Sequence, residues 1–224
     1  MLFPSPTPRE FIRTVGASIH PTTHRVRTPH FFSLERGETL KLILSRPYDS
    51  FIEVSQSDDV GTLLDEVFQD SPEIATSITT LTCYKNNTAL CIADMLSERF
   101  GLLEEKTIDV STCLQEAIMN AILHGNLGVK SKFDSMASFE LYQKEIEKCL
   151  ENDEHRTKRI YISAWDNHKG LKIAVRDEGK GFSLQKSSAN QPTLHGRGLM
   201  FIKTMADDVW IGSDGRTLFM NFHY

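Results

Sequence analysis

One stretch constrains this chain more than any other. Residues 107–124 (TIDVSTCLQEAIMNAILH) are apolar through their centre, with Cys113, Leu114, Ala117, Ile118, Met119, Ala121, Ile122 and Leu123. So many apolar side chains in a helix-length run predict a mostly buried helix, ended by Gly125-Asn126. A buried helix needs other elements around it. A chain of 224 residues, 40% hydrophobic and 25% charged, has enough material for such a core without staples. Glu116, Asn120 and His124 interrupt the apolar run at intervals of four residues, which puts them on one helix face. Two readings fit. The three form the solvated stripe of an amphipathic helix, or they form a site: an Asn amide oxygen suits a hard cation such as Mg²⁺, and a Glu one turn away can take a proton from a hydroxyl beside that ion.

The charge balance is 25 basic against 30 acidic residues, a net of −5. A basic face is the usual mark of a nucleic-acid binder, and none is evident, so no nucleic-acid partner is expected. No apolar run approaches the ~18 residues of a membrane helix, so no membrane partner is expected. The start, MLFPSPTPRE, lacks a basic region followed by an apolar core and does not read as a secretory signal. Cys83, Cys91, Cys113 and Cys149 show neither a C-x-x-C pair nor zinc spacing, and are expected as reduced thiols of a cytoplasmic protein.

The expected organisation is a legible domain at 76–224 preceded by an N-terminal appendage, 1–75, of unknown role. In the appendage, 38–46 (ETLKLILSR) and 51–56 (FIEVSQ) predict two short strands, and 61–69 a short helix. In the domain, 77–83 (SITTLTC) predicts a strand on its β-branched content. Helices are expected at 87–100, 107–124, 135–151 and 197–206, and strands at 159–164, 171–177, 208–212 and 217–223. The helices interleave with hairpin-like strand pairs, so the fold class is α/β with a mixed sheet.

Two glycine motifs accompany the polar stripe. Asp177-Glu178-Gly179-Lys180-Gly181-Phe182 follows an alternating strand. It is an ordinary turn, or it presents Asp177 to an exocyclic amine while the glycines let a planar base approach the backbone. His195-Gly196-Arg197-Gly198-Leu199 opens a helix. It is a hinge, or a backbone cradle for phosphate at a helix N-terminus. It is not a Walker A loop, because the Gly-Lys-Ser/Thr ending is missing.

Together, EAIMNAILHGN, RDEGKGF and HGRGLMFIKTMADDV resemble the N, G1 and G2 boxes of the GHKL ATPase superfamily, and are most similar to the bacterial anti-sigma-factor serine kinases. The resemblance covers about residues 76–224. It implies a two-layer sandwich of a mixed sheet with helices on one face, and ATP and Mg²⁺ as cofactors. Matched residue by residue, it implies Glu116 as general base and Asn120 as the Mg²⁺ ligand. Asp177 matches the adenine-binding aspartate, Gly179 and Gly181 the G1 glycines, and Gly196 and Gly198 the G2 glycines. Thr217 matches the final box loosely. A short lid is implied at about 183–195. The implied activity is phosphorylation of a small antagonist protein, an anti-anti-sigma-like substrate, with sequestration of a sigma-like regulator. A homodimer stays open.

Two features depart from that pattern. Some of these kinases carry an arginine just before the G2 glycines to meet the γ-phosphate. Here Thr193-Leu194-His195 stand there, and Arg197 lies between the glycines. About 30 residues, including helix 135–151, also separate the N box from the next strand; they read as a family-variant insertion or a partner-binding helix. A non-catalytic module in which ATP controls partner binding is the rival reading. A histidine-kinase fragment is disfavoured because His20, His24 and His30 lie in Pro/Thr-rich sequence without a following acid.

Overall fold

The structure is a computed structural model that describes residues 28–34, 38–55, 57–129, 136–181 and 197–224. The elements run in chain order β1 (Pro29–Phe32), α1 (Leu40–Leu44), β2 (Ser50–Glu53), α2 (Val60–Phe68), β3 (Ile74–Thr79), α3 (Thr80–Lys85), α4 (Thr88–Phe100) and α5 (Glu104–Asn120). A π-helical turn at Ala121–Asn126 follows, then α6 (Met136–Glu151), α7 (Asp153–Arg156), β4 (Arg159–Asp166), β5 (Gly170–Asp177), α8 (Arg197–Met205), β6 (Asp208–Ile211) and β7 (Thr217–His223).

The strands form one seven-stranded mixed sheet in the order β1-β2-β3-β4-β5-β7-β6. The first three run parallel, and the remaining pairs are antiparallel. Alternation along the strands divides the core in two. Ile78, Ile160, Ile162, Ile173 and Met220 join Ile92, Leu96, Leu114, Ile118, Ile122 and Ile202 of the helices on one face. On the other face α2 buries Leu63, Val67 and Phe68 against Ile52, Ala75 and Tyr161. Most helices therefore lie on one side, as expected, and α2 covers the opposite side at the parallel end.

Several expectations are corrected. Residues 38–46 contain a helix, not a strand. Leu40, Ile43 and Leu44 are buried while Leu42 is exposed, a helical rather than an alternating pattern, and the Thr39 hydroxyl accepts from the Leu42 N–H to cap it. The strand expected at 77–83 lies earlier and ends at Thr79, whose hydroxyl caps α3 by accepting from the Thr82 N–H. Beyond the strand, the Thr80 and Thr82 hydroxyls donate to the Lys158 carbonyl and to Glu53. The boundary expected between 75 and 76 falls inside β3, and β1 and β2 before it continue the same sheet. All four cysteines are free thiols. Among the described residues no helix is long and apolar enough to cross a membrane.

Candidate nucleotide site

Helix α5 carries the polar stripe. Its apolar face buries Val110, Cys113, Leu114, Ala117 and Ile118, which turns Glu116 and Asn120 towards α8. Both are half-buried, and neither makes a side-chain hydrogen bond among the described residues. Helix α8 seats on α5 through Ile202, fully buried, whose carbonyl lies 4.0 Å from the Cys113 Sγ. Its first turn brings Gly198 against the stripe: a Cβ there would overlap Glu116 Oε2 and lie 3.5 Å from Asn120 Nδ2. Only a residue without a side chain allows this approach. The third member, His124, points its Nδ1 at the Val129 carbonyl, 3.0 Å away. A carbonyl only accepts, so Nδ1 donates, and that edge of the ring ties down the segment after the π-turn.

The π-turn is the feature that joins the two boxes. Its extra residue per turn re-aims the side chains beyond Asn120. Gly125 then faces Asp177 so closely that a Cβ would overlap the carboxylate, and a Cβ on Gly179 would overlap the Gly125 carbonyl. Asn126, 1% exposed, follows. Its Nδ2 donates to Thr80 Oγ1 at 2.8 Å and to the Arg159 carbonyl at 3.1 Å, and its Oδ1 accepts from the Glu178 N–H at 2.8 Å. One buried amide thus pins the end of the α5 segment to the start of α3, to β4 and to the Asp-Glu-Gly turn.

Asp177 ends β5. Its Oδ1 accepts from the Gly179 N–H at 2.7 Å, and its Oδ2 accepts nothing among the described residues. Burial pushes the carboxyl above its ordinary value, partly offset by the Gly179 hydrogen bond and by Arg216. Gly181 has φ +83°, a conformation that glycine adopts without strain; a Cβ there would lie 3.2 Å from the Asp214 carbonyl. Thr217, buried at the start of β7 in register with Arg176, donates its hydroxyl to Asp214 Oδ2 at 2.8 Å. The Asp177 N–H meets the neighbouring Arg216 carbonyl at 3.3 Å, so Thr217 and Asp177 share one end of the sheet.

Glu116, Asn120 and Gly198 therefore converge where α8 meets α5. Asp177, Gly179, Gly181 and Thr217 converge beyond the π-turn. Arg197 opens α8; its side chain, Gly196 and the expected lid at 183–195 lie outside the described residues. Reading the sequence missed Gly125, Asn126 and Glu178. Gly125-Asn126 read as a helix stop and as the end of the EAIMNAILHGN string, with no role for either side chain.

A family model, the histidine kinase-like ATPase domain, matches residues 86–222. The chain belongs to this family. The superfamily resemblance drawn from the three boxes is thereby confirmed. No curated protein matches the chain. A histidine kinase-like ATPase domain is an ATP-binding domain, and the residues present fit that nucleotide. The half-buried Asp177 carboxylate keeps an oxygen open for an amine donor. Gly125, Gly179 and Gly198 let these segments approach closely, and Glu116 and Asn120 make no side-chain hydrogen bond among the described residues.

Proposed function

We propose that this histidine kinase-like ATPase domain is a serine/threonine protein kinase of the anti-sigma type, acting in the cytoplasm on a small antagonist protein and holding a sigma-like regulator. The observation that carries the reading is Glu116: a carboxylate with no competing hydrogen bond among the described residues, one turn before Asn120 and in contact range of the α8 N-terminus. In this reading Asn120 would hold Mg²⁺ through its amide oxygen, and the ion would supply charge neutralisation for the phosphates. Asp177 accepts from the adenine amine and selects adenine over guanine. The first turn of α8 presents free N–H groups to phosphate. Glu116 accepts the proton of the substrate hydroxyl.

The test is radiolabel transfer from ATP to a partner co-purified from the host. Wild type is expected to transfer label, and Glu116→Gln to transfer about 10²–10⁴-fold less with nearly unchanged ATP affinity. Equal loss of affinity would place Glu116 in binding rather than proton transfer. One observation favours a second reading, a non-catalytic module whose partner binding is controlled by ATP: Thr193-Leu194-His195 stand where an arginine would meet transferring phosphate. ATP-dependent capture of a partner, or of a second copy of the chain, without label transfer supports that module.

A further inference from the structure

Successive residues of a strand point to opposite faces, and the end of β5 uses this to connect two sides of the molecule. Asp177 lies on the helix side beside Gly125. Glu178 reaches the other side, where both carboxylate oxygens are engaged. Oε2 accepts from the Arg159 backbone N–H at 2.8 Å, and Oε1 from the Tyr161 hydroxyl at 3.0 Å. Burial, reinforced by Glu178, pushes the Tyr161 phenol up, so it stays a donor. Tyr161 carries the Arg176 guanidinium over its ring at 4.3 Å, and Arg176 pairs with Glu66 of α2 at 2.6 Å.

Arg159 itself is buried, its side chain 5% exposed. Its guanidinium donates to Asp58 at 2.7 Å, to the Glu53 carbonyl at 2.8 Å and to Ser77 Oγ at 3.0 Å. Two of these three partners come from residues 50–68, the segment that precedes the residues matching the family model. A buried guanidinium requires such partners. The chain of bonds is therefore continuous: Asp58 holds Arg159, the Arg159 backbone holds Glu178, and Glu178 adjoins the carboxylate that faces the nucleotide.

We propose that Glu178 is a positioning residue of the nucleotide site, and that residues 50–68 belong to that site through the Asp58–Arg159 pair that fixes it. The proposal rests on the ATP-binding reading. It assigns to the N-terminal segment a role in adenine selection.

The experiment is calorimetry of the full chain with ATP and GTP for wild type, Glu178→Ala, Glu178→Gln and Asp58→Asn. Glu178→Ala is expected to weaken ATP about tenfold, as loss of hydrogen bonds to a charged group implies, while weak GTP binding stays unchanged, so the ATP/GTP ratio falls. Glu178→Gln keeps an acceptor for Arg159 and a donor for Tyr161, and is expected within about threefold of wild type. Asp58→Asn keeps size and an acceptor, and is expected to lower the ATP/GTP ratio about two- to threefold. Glu178 is exposed, so its variants are expected to fold; circular dichroism checks this. ATP affinity within twofold of wild type in Glu178→Ala, or equal losses for ATP and GTP, overturns the proposal alone. A wild type that binds no ATP overturns the reading beneath it as well.

Discussion

Two sets of polar side chains on opposite faces of the sheet are treated in opposite ways. On the α2 face, Arg159, Asp58, Glu178 and Tyr161 are bonded to one another, and Arg159 also to Glu53 and Ser77. On the helix face, Glu116 and Asn120 are half-buried and bonded to nothing described, and Asp177 leaves one oxygen open. A saturated network can only hold a shape. Groups withheld from such a network carry a desolvation cost that a ligand can relieve. The contrast separates scaffold from site on physical grounds, and it can be attacked at either end.

The largest expected effect is at the open side. Asn120→Ala should weaken Mg²⁺-ATP binding at least about 100-fold, roughly 2.7 kcal/mol, while the unfolding midpoint stays near wild type. Calorimetry and a thermal melt together decide it. A variant that unfolds while its folded remainder still binds ATP would make Asn120 a structural residue and erase the contrast.

On the saturated side the same kind of truncation should do the reverse. Asp58→Ala strands a buried guanidinium and is expected to cost about 3 kcal/mol in urea unfolding. A midpoint shift too small to resolve would show that the network is not the scaffold.

Asp177→Asn is expected to abolish preference for ATP over GTP and to raise the apo melting temperature at pH 7 by about 1–2 °C. The sign follows from linkage. Burial raises the native pKa of Asp177 above its unfolded value, so the favourable contribution of the protonated form is present at low pH and lost as pH rises through the native pKa. The advantage of the Asn variant should therefore shrink as pH falls towards 4. A variant less stable than wild type at pH 7 would mean that Asp177 is already satisfied.

The smallest effect lies at the edge of the scaffold. His30 stacks on Tyr48 at 4.6 Å, and its Nε2 accepts from Arg46 at 2.8 Å. Burial and then Arg46 hold its pKa down, opposed by Glu38. The unfolded chain takes up this proton first, so stability is full above about pH 6.5 and declines as pH falls towards the native pKa. Between pH 7.5 and 5.5 wild type should lose about 1–2 °C more than His30→Gln. Parallel pH profiles for the two proteins would remove His30 from the balance.

The grouping of the candidate site residues was largely legible because its signals are local. Intervals of four in one helix place Glu116 and Asn120 together, and the glycine motifs are short strings. The parallel end of the sheet was legible only in part: the strand at 51–56 and the helix at 61–69 were expected, but β1 has four residues, and an apolar run as short as 40–44 fits helix and strand equally until Thr39 caps it. The α2-face network was invisible for another reason. Arg159 meets Asp58 across 101 residues, and no periodicity in either segment announces the other. The π-turn escaped because an ordinary helix followed by a glycine stop has the same pattern.

The antiparallel pairing of β3 with β4 has a consequence for folding order. Thr80 and Lys158, which close that pair, stand 78 residues apart, and α3 to α7, with Glu116, Asn120 and Asn126, lie within the loop they close. Closing so long a loop costs chain entropy before any pairing repays it, and distant pairings form slowly. Any intermediate in which α4 and α5 form while β3 and β4 stay apart would have the α5 side chains without the turn that carries Asp177. Nucleotide then has no complete site to favour in that intermediate, so it should slow unfolding of the native state and leave the early steps of refolding at their own pace.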